Sequence, residues 1–282
     1  MKTYTIDGNN VVEYMFESLT EFADYIQTAQ TSSKFSTREL ESQREDTKYP
    51  SFSQALRLCR EGSRGNINKQ LALKKKLDKS LLLPTIRLQR TKGVSGFVPS
   101  IPDVLVGNPI NMWGFRRQEV FDTINIYVDL YCPYNVTEKQ VENRGIIVQS
   151  IVDALQHKGY SVNLIGYHAA YVNNEVLISY YMLKHATERL NVQKTYFPLC
   201  DVSFVRRLIF RLIEQAPLDH NWFLSYGKPV DDRFFRMVAK LRKENLVIPE
   251  PNELGIKGVN IDEDLNIALS YLKLDKNLKK LI

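Results

Sequence analysis

Cysteine is scarce in this chain of 282 residues, which contains three. Cys59, Cys132 and Cys200 are odd in number and lie far apart along the chain. This spacing fits neither a disulfide framework nor a Cys-x-x-Cys metal pair. We therefore expect free thiols and a reducing compartment.

Long apolar runs are also missing. No run approaches the roughly 18 consecutive apolar residues that a membrane span needs. The residues that follow Lys2 lack the apolar stretch of a secretory signal. The sequence therefore predicts a cytoplasmic protein without a membrane partner.

The sequence lacks the common catalytic signatures. It has no Gly-x-x-x-x-Gly-Lys-Ser/Thr loop and no Gly-x-Gly-x-x-Gly after a predicted strand, which disfavours an ATPase or a dehydrogenase. The four histidines lie on different predicted elements, without His-x-x-x-His spacing and without a cysteine partner. There is no Gly-x-Ser-x-Gly elbow, and a Cys/His dyad would have to be assembled by folding alone. We therefore predict no catalytic residue and no cofactor.

Charge, by contrast, is unevenly distributed. Residues 51–100 hold eleven basic and two acidic side chains, whereas residues 1–50 hold five basic and nine acidic ones. A basic excess of this kind binds phosphates by releasing counterions, and residues 57–92 are therefore a candidate nucleic-acid surface. The candidate contact residues are Arg57, Arg60, Arg64, Lys69, Lys74, Lys75, Lys76 and Lys79.

A second interpretation of this basic segment is a solvated helix face that acidic neighbours balance, and residues 1–50 could supply such neighbours. Aromatic residues are absent from Gly62 to Gly96, which weakens a model based on base stacking. Both interpretations of the segment stay open at this point.

Residues 1–115 are predicted to form a smaller, mainly helical α+β region. Ser-x-x-Glu and Ser-x-x-Gln capping boxes open its first two helices, and Pro84 ends the third. A stretch rich in glycine and proline then indicates an irregular connection with one or two short strands. The expected elements are a strand at 11–16, helices at 18–26, 51–62 and 66–82, a loop at 27–49 and the connection at 85–113.

Residues 116–282 are predicted to form a Rossmann-like α/β domain. A strand at 124–131, a helix opened by the Thr137–Gln140 capping box and a strand at 161–168 make a βαβ unit, which should be a right-handed parallel crossover. Asn173 and Asn174 separate the second strand from an antiparallel partner. The remaining expected elements are that partner strand at 175–183 and helices at 201–214, 229–241 and 262–272, with Asp201 or Ser203 and Asp262 or Asp264 as caps.

The order strand, long helix, strand, antiparallel edge strand and further helices resembles the von Willebrand factor A-type fold. Members of that family bind a divalent cation through an Asp-x-Ser-x-Ser motif after the first strand. The matching residues here are Asp129-Leu130-Tyr131-Cys132-Pro133, where tyrosine and proline replace both serines. Asp129 is thus a candidate metal ligand without its usual partners. In the alternative interpretation, its carboxylate caps backbone amides of the following turn.

Four short stretches resemble an uncharacterised family of bacteriophage and prophage proteins, a resemblance that implies origin rather than chemistry and places the protein in the host cytoplasm. They are Glu17–Phe22, Ser53–Gly62, Ile101–Pro109 and Phe204–Phe210.

These observations predict a non-enzymatic phage-encoded interaction protein that binds a host or phage protein. Most tyrosines of the central sheet should be core residues, and any that are exposed would be anchors for a partner. Arg206 and Arg207, which lie beside Phe204 and Phe210, are candidate partner-binding residues. The alternatives are a nucleic-acid-binding accessory protein that uses residues 57–92 and a structural component of the virion.

Overall fold

The computed structural model describes residues 1–28, 51–65, 67–80, 88–117, 123–218, 228–230, 232–239 and 245–272. Most of the loop predicted at 27–49, the helix end predicted at Pro84, and residues 231 and 240–241 of the helix predicted at 229–241 lie outside the described residues.

A mixed sheet organises most of the described chain. Its strands are β1 (Lys2–Ile6), β2 (Asn9–Phe16), β6 (Ile124–Asp129), β7 (Val162–Val172), β8 (Glu175–Lys184), β9 (Lys228–Pro229) and β10 (Leu246–Ile248). Their order is β1-β2-β8-β7-β6-β10, and β9 pairs with β7. The pairs β10–β6, β6–β7 and β2–β8 are parallel, whereas β1–β2 and β7–β8 are antiparallel. The predicted α/β class with a mixed sheet is therefore confirmed.

The predicted βαβ unit is present. Helix α5 (Glu138–His157) connects the parallel strands β6 and β7, and it begins with the predicted capping box. The Thr137 hydroxyl accepts a hydrogen bond from the Gln140 N–H, and the Gln140 side chain accepts one from the Thr137 N–H. Two orphan amides at the helix N-terminus are thereby satisfied, which explains why the helix begins there.

The sequence predicts that the antiparallel partner of β7 is an edge strand. That prediction is wrong, because this partner, β8, is an interior strand of the sheet. The hairpin with β7 forms as predicted, and Asn173 adopts the positive φ that its turn requires. On its other side, β8 pairs with β2 over seven residues. The pairing crosses the predicted boundary between residues 115 and 116, because β1 and β2 complete the sheet of the C-terminal region.

Helices cover one face of this sheet. They are α1 (Leu19–Thr28), α2 (Phe52–Glu61), α3 (Ile67–Ser80), α5, α6 (Val192–Cys200), a π-helical stretch at Phe204–Ile209 that continues as α7 (Phe210–Gln215), and α10 (Ile261–Leu272). Helix α3 packs on α5 rather than on the sheet. Helices α5 and α6 approach so closely that a Cβ atom on Gly145 would lie 2.3 Å from the Cys200 Sγ, which explains why glycine stands there.

The opposite face of the sheet packs against α8 (Asp232–Val238), whose Phe235 ring stacks on Tyr167 with 3.7 Å between ring centroids. The prediction that most tyrosines of the sheet are core residues is confirmed, since Tyr167, Tyr180 and Tyr181 are all buried. Tyr171 is partly exposed. Burial of these rings supplies much of the apolar contact that holds the sheet.

Two details of the C-terminal helices differ from the predictions. The sequence did not indicate α6, which begins at the cap Asn191 and contains Pro198 in its interior. The cap of α10 is Asn260, whose side chain accepts a hydrogen bond from the Asp262 N–H. Asp264, one of the two predicted caps, is instead fully buried. The short helix α9 (Pro251–Leu254) precedes α10.

Residues 88–117 form a separate three-stranded antiparallel sheet, here called the small sheet. Its strands are β3 (Leu88–Gly93), β4 (Val98–Pro99) and β5 (Met112–Arg117), in the order β3-β5-β4, and the short helix α4 (Ile101–Leu105) follows β4. The sequence indicated an irregular connection here with one or two strands. Instead, this glycine- and proline-rich stretch contains a regular ladder in which β3 pairs with β5 over six residues.

Candidate interaction surface

The basic residues of α2 and α3 are largely paired with carboxylates. Arg60 contacts Asp24 at 2.7 Å, Lys74 contacts Asp153 at 2.8 Å and Lys76 contacts Asp262 at 2.6 Å. Lys69 lies 3.8 Å from Glu142. One of these four carboxylates comes from residues 1–50, and the others come from α5 and α10. The positive charge of this segment is therefore balanced to a large extent within the fold.

Three of the residues predicted to contact nucleic acid are not paired with any carboxylate that the structure describes. Arg57, Arg64 and Lys75 are exposed and have no ion pair within the described part of the chain. The side chain of Lys79 lies outside the described residues. Of the candidate residues whose side chains the structure describes, these three are the ones without a carboxylate partner among the described residues.

Asp129 lies at the carboxyl end of β6, where its side chain is buried. Its Oδ1 accepts a hydrogen bond of 2.8 Å from the Tyr131 N–H, which is the local capping role that the sequence allowed. Burial raises the pKa of Asp129 to about 7, while the Tyr131 N–H and the nearby Arg144 act in the opposite direction. The described residues contain no group of three or more His, Cys, Asp or Glu side chains that could hold a metal ion.

Arg144 links the carboxyl ends of the neighbouring strands β6 and β10. Its guanidinium is buried, and the Nη1 group donates hydrogen bonds to the carbonyl oxygens of Asp129, the last residue of β6, and Pro249, which follows β10. One NH2 group of the arginine therefore links the carboxyl ends of two neighbouring strands. The cluster at the carboxyl edge therefore stabilises the sheet.

Arg206 and Arg207 are buried, with 8% and 4% of their surface exposed. The π-helical stretch that carries them packs between α2, α6 and α7, so both side chains are largely covered by the fold. This burial disfavours the predicted role of the two arginines in binding a partner.

His168 lies in the interior of β7 and is fully buried. Its ring stacks on Tyr131 with 5.6 Å between centroids, and neither ring nitrogen has a hydrogen-bond partner among the described residues. Burial lowers the pKa of His168 to about 3, because charging the ring here would place a cation in an apolar environment.

Replacing His168 by leucine should make the protein more resistant to acid. A histidine with a lowered folded-state pKa stabilises the fold above its unfolded pKa of about 6.5 and loses that contribution as pH falls towards the folded value. The advantage of His168→Leu should therefore grow by about 1.4 kcal/mol per pH unit below pH 6.5. Urea denaturation between pH 7 and pH 4 measures the difference in free energy of unfolding between this variant and the parent chain. His157→Leu, at an exposed histidine, is the control. A difference that does not change with pH would contradict a lowered pKa for His168.

Exposed aliphatic side chains are concentrated in residues 94–110 of the small sheet, and this group is here called the apolar tip. Its aliphatic side chains are between 46% and 80% exposed, and α4 itself has no buried residue. The members of the apolar tip are Val94, Ile101, Val104, Leu105, Val106 and Ile110. Monomeric proteins rarely expose contiguous apolar patches of this kind without a binding role.

Polar contacts hold the apolar tip in place. Asp103 accepts hydrogen bonds from the Lys92 ammonium and the Asn108 side chain, and the Ser100 N–H donates to the Asn111 carbonyl at 2.6 Å. Gly107 has the positive φ of a tight turn. The aliphatic side chains are thus presented by a hydrogen-bonded frame. The sequence does not predict this surface, because Ile101–Pro109 carries a family resemblance and no signal of its exposure.

Aromatic and basic side chains share one face of the small sheet. The Arg90 guanidinium lies 4.3 Å and the Lys92 ammonium 4.9 Å from the centre of a Trp113 ring. The Phe97 and Phe115 rings stack with 4.9 Å between centroids, and each is more than half exposed. We call these five residues the aromatic–basic face.

No helix of the described residues combines the length and apolar character that crossing a membrane requires. Comparison with curated proteins and with solved structures gave no match. A family model described as a domain of unknown function (DUF7192) matches residues 2–276, nearly the whole chain. The chain therefore belongs to the DUF7192 family.

Proposed function

We propose that this chain is a non-enzymatic interaction protein that binds a host or phage protein through the apolar tip. The observation that carries the proposal is the exposure of six aliphatic side chains on a short, hydrogen-bonded frame. Side chains such as Leu105 and Val106 would be desolvated by a partner, and desolvation of this kind provides most of the free energy at protein interfaces.

The scaffold in this proposal is a von Willebrand factor A-like domain to which two N-terminal strands have been added. The β6–α5–β7 crossover and the β7–β8 hairpin support it. Asp129 then has a structural role in place of metal binding, because its carboxylate is buried and accepts the Tyr131 N–H. A phage origin and a site of action in the host cytoplasm belong to the same proposal.

The alternative of nucleic-acid binding through α2 and α3 is less well supported. Four of its eight candidate cations lie within 4 Å of carboxylates, as described above. Such pairs lower the local positive potential that non-specific binding to phosphates requires. The further alternative, a structural component of the virion, is one way in which the apolar tip could be covered by another protein.

The double substitution Leu105→Ser with Val106→Ser should abolish capture of the partner. Both side chains are about 80% exposed, so the fold should be retained while the affinity falls at least about tenfold. The measurement is quantitative mass spectrometry of proteins retained by the tagged chain from nuclease-treated lysate of infected cells. Val259→Ser, which removes an exposed valine outside the apolar tip, is the matched control.

The two variants must differ for the proposal to stand. A protein that the parent chain and Val259→Ser retain, and that the double variant loses, supports the apolar tip as the contact surface. Equal recovery with all three chains would exclude the apolar tip.

A further inference from the structure

Strand pairing brings together residues that the sequence keeps apart. Arg90 pairs with Phe115, and Lys92 pairs with Trp113 across the antiparallel ladder of β3 and β5. Paired residues project from the same face of a sheet, and so do alternate residues of one strand. The last cations of the basic segment are therefore placed beside aromatic rings more than 20 positions further along the chain.

The aromatic–basic face is open to solvent. Phe97 and Phe115 are 55% and 57% exposed, and Arg90 is exposed beside the Trp113 ring. Contact with two cations orients the indole and keeps the charges close to the phenylalanine pair. The result is an exposed surface that carries both aromatic rings and positive charge.

We propose that the aromatic–basic face binds single-stranded nucleic acid. Unpaired bases would stack on Phe97 and Phe115, while Arg90 and Lys92 would contact the phosphates between them. The positive charge of this sheet also suits a nucleic acid, because residues 88–117 contain four basic residues and one acidic residue, Asp103. An acidic protein would also be attracted by this charge, but it would offer no planar bases to stack on the exposed rings.

This site differs from the basic surface that the sequence suggested. In α2 and α3, Arg60, Lys74 and Lys76 meet carboxylates of the fold, and the described residues show no cation–ring contact in these two helices. On the small sheet Arg90 and Lys92 meet the Trp113 ring, and of these two only Lys92 has a carboxylate partner among the described residues, namely Asp103. A duplex would hide its base faces from the rings, so a single strand is the expected ligand.

Fluorescence anisotropy with labelled oligonucleotides tests this inference. The probes are an oligothymidylate of about 20 nucleotides, an oligouridylate of the same length and a duplex of matched length. We expect a single strand to bind more tightly than the duplex, with an affinity that falls as salt rises from about 50 to 200 mM. Comparison of the two single strands shows whether the sugar of DNA or of RNA is preferred.

Variants place the binding on the proposed face. Phe97→Ala with Phe115→Ala should weaken binding at least about tenfold, and Arg90→Glu should weaken it and reduce its salt dependence. Lys75→Glu is the matched control, because it reverses an exposed cation of α3. The Leu105→Ser and Val106→Ser variant should bind the oligonucleotide normally, so this test and the partner-capture test fail independently.

An optical signal reports on the ring surface directly. The chain has two tryptophans, Trp113 and Trp222, so Trp222→Phe leaves Trp113 as the sole indole. Its emission should change when oligothymidylate binds. The inference is overturned if no single strand binds, if the duplex binds more tightly, if Lys75→Glu weakens binding as much as Arg90→Glu, or if binding leaves the Trp113 emission unchanged.

Discussion

Replacing Asp264 by alanine should lower the free energy of unfolding by about 4 kcal/mol. The carboxylate is fully buried and accepts three hydrogen bonds: from the Lys257 N–H at 2.8 Å, the Gly258 N–H at 3.0 Å and the Asn143 amide at 2.8 Å. Alanine would leave all three donors without an acceptor. One side chain therefore fixes the turn before α10 to the middle of α5.

Asp262 provides the control for this prediction within the same helical turn. Its carboxylate is about half exposed and pairs with Lys76 at the surface. Asp262→Ala should cost less than about 1 kcal/mol, because exposed ion pairs contribute little. Urea denaturation followed by circular dichroism measures both variants. Equal losses would show that the buried hydrogen bonds of Asp264 do not stabilise the fold as described.

Replacing Arg144 by methionine should cost about 3–5 kcal/mol at pH 8. Methionine fills much of the volume but leaves the carbonyl oxygens of Asp129 and Pro249 without their donor. It also removes the positive charge beside the buried Asp129 carboxylate. At pH 8 that group must then either carry an unpaired charge in an apolar environment or take up a proton, and both cost free energy.

The loss caused by Arg144→Met should be smaller at pH 5. Burial raises the pKa of Asp129 to about 7 in the parent chain, and removing Arg144 raises it further. A carboxyl group with a raised folded-state pKa stabilises the fold below its unfolded pKa, and that contribution is lost as pH rises through the folded value. Urea denaturation at pH 5 and pH 8 tests whether the loss of unfolding free energy is smaller at the lower pH.

A second substitution separates the charge effect from the lost hydrogen bonds. In Asp129→Asn with Arg144→Met, the asparagine oxygen can still accept the Tyr131 N–H, but no carboxyl group remains to titrate. The extra loss at pH 8 should therefore disappear, whereas the loss at pH 5 should remain. A pH-independent loss in Arg144→Met alone would contradict the electrostatic part of the explanation.

Local signals in the sequence predicted the elements that depend on near neighbours. The Thr137–Gln140 capping box marked the start of α5, and the Asn173–Asn174 turn marked the β7–β8 hairpin. The parallel pairing of β2 with β8 joins residues about 165 positions apart, and no local pattern records it. For this reason the sequence suggested a separate N-terminal region.

The candidate sites were harder to predict because they depend on distant neighbours. The lysines of α3 meet Asp153 and Asp262, which lie far away in sequence. Arg206 and Arg207 fall between the apolar residues of one helical stripe, yet the π-helical stretch is buried on all sides. Conversely, the glycines and prolines near the small sheet suggested irregular structure and obscured its regular strand pairing.

The topology also sets the sequence of events during synthesis. β2 ends at Phe16 and its partner β8 begins at Glu175, so at about 5–20 residues per second the ribosome needs roughly 8–30 s to make the partner after β2 is complete. The small sheet pairs within 30 residues and can form during that interval. The nascent chain therefore exposes its apolar tip before the main sheet closes, when a waiting partner or chaperone could first encounter it.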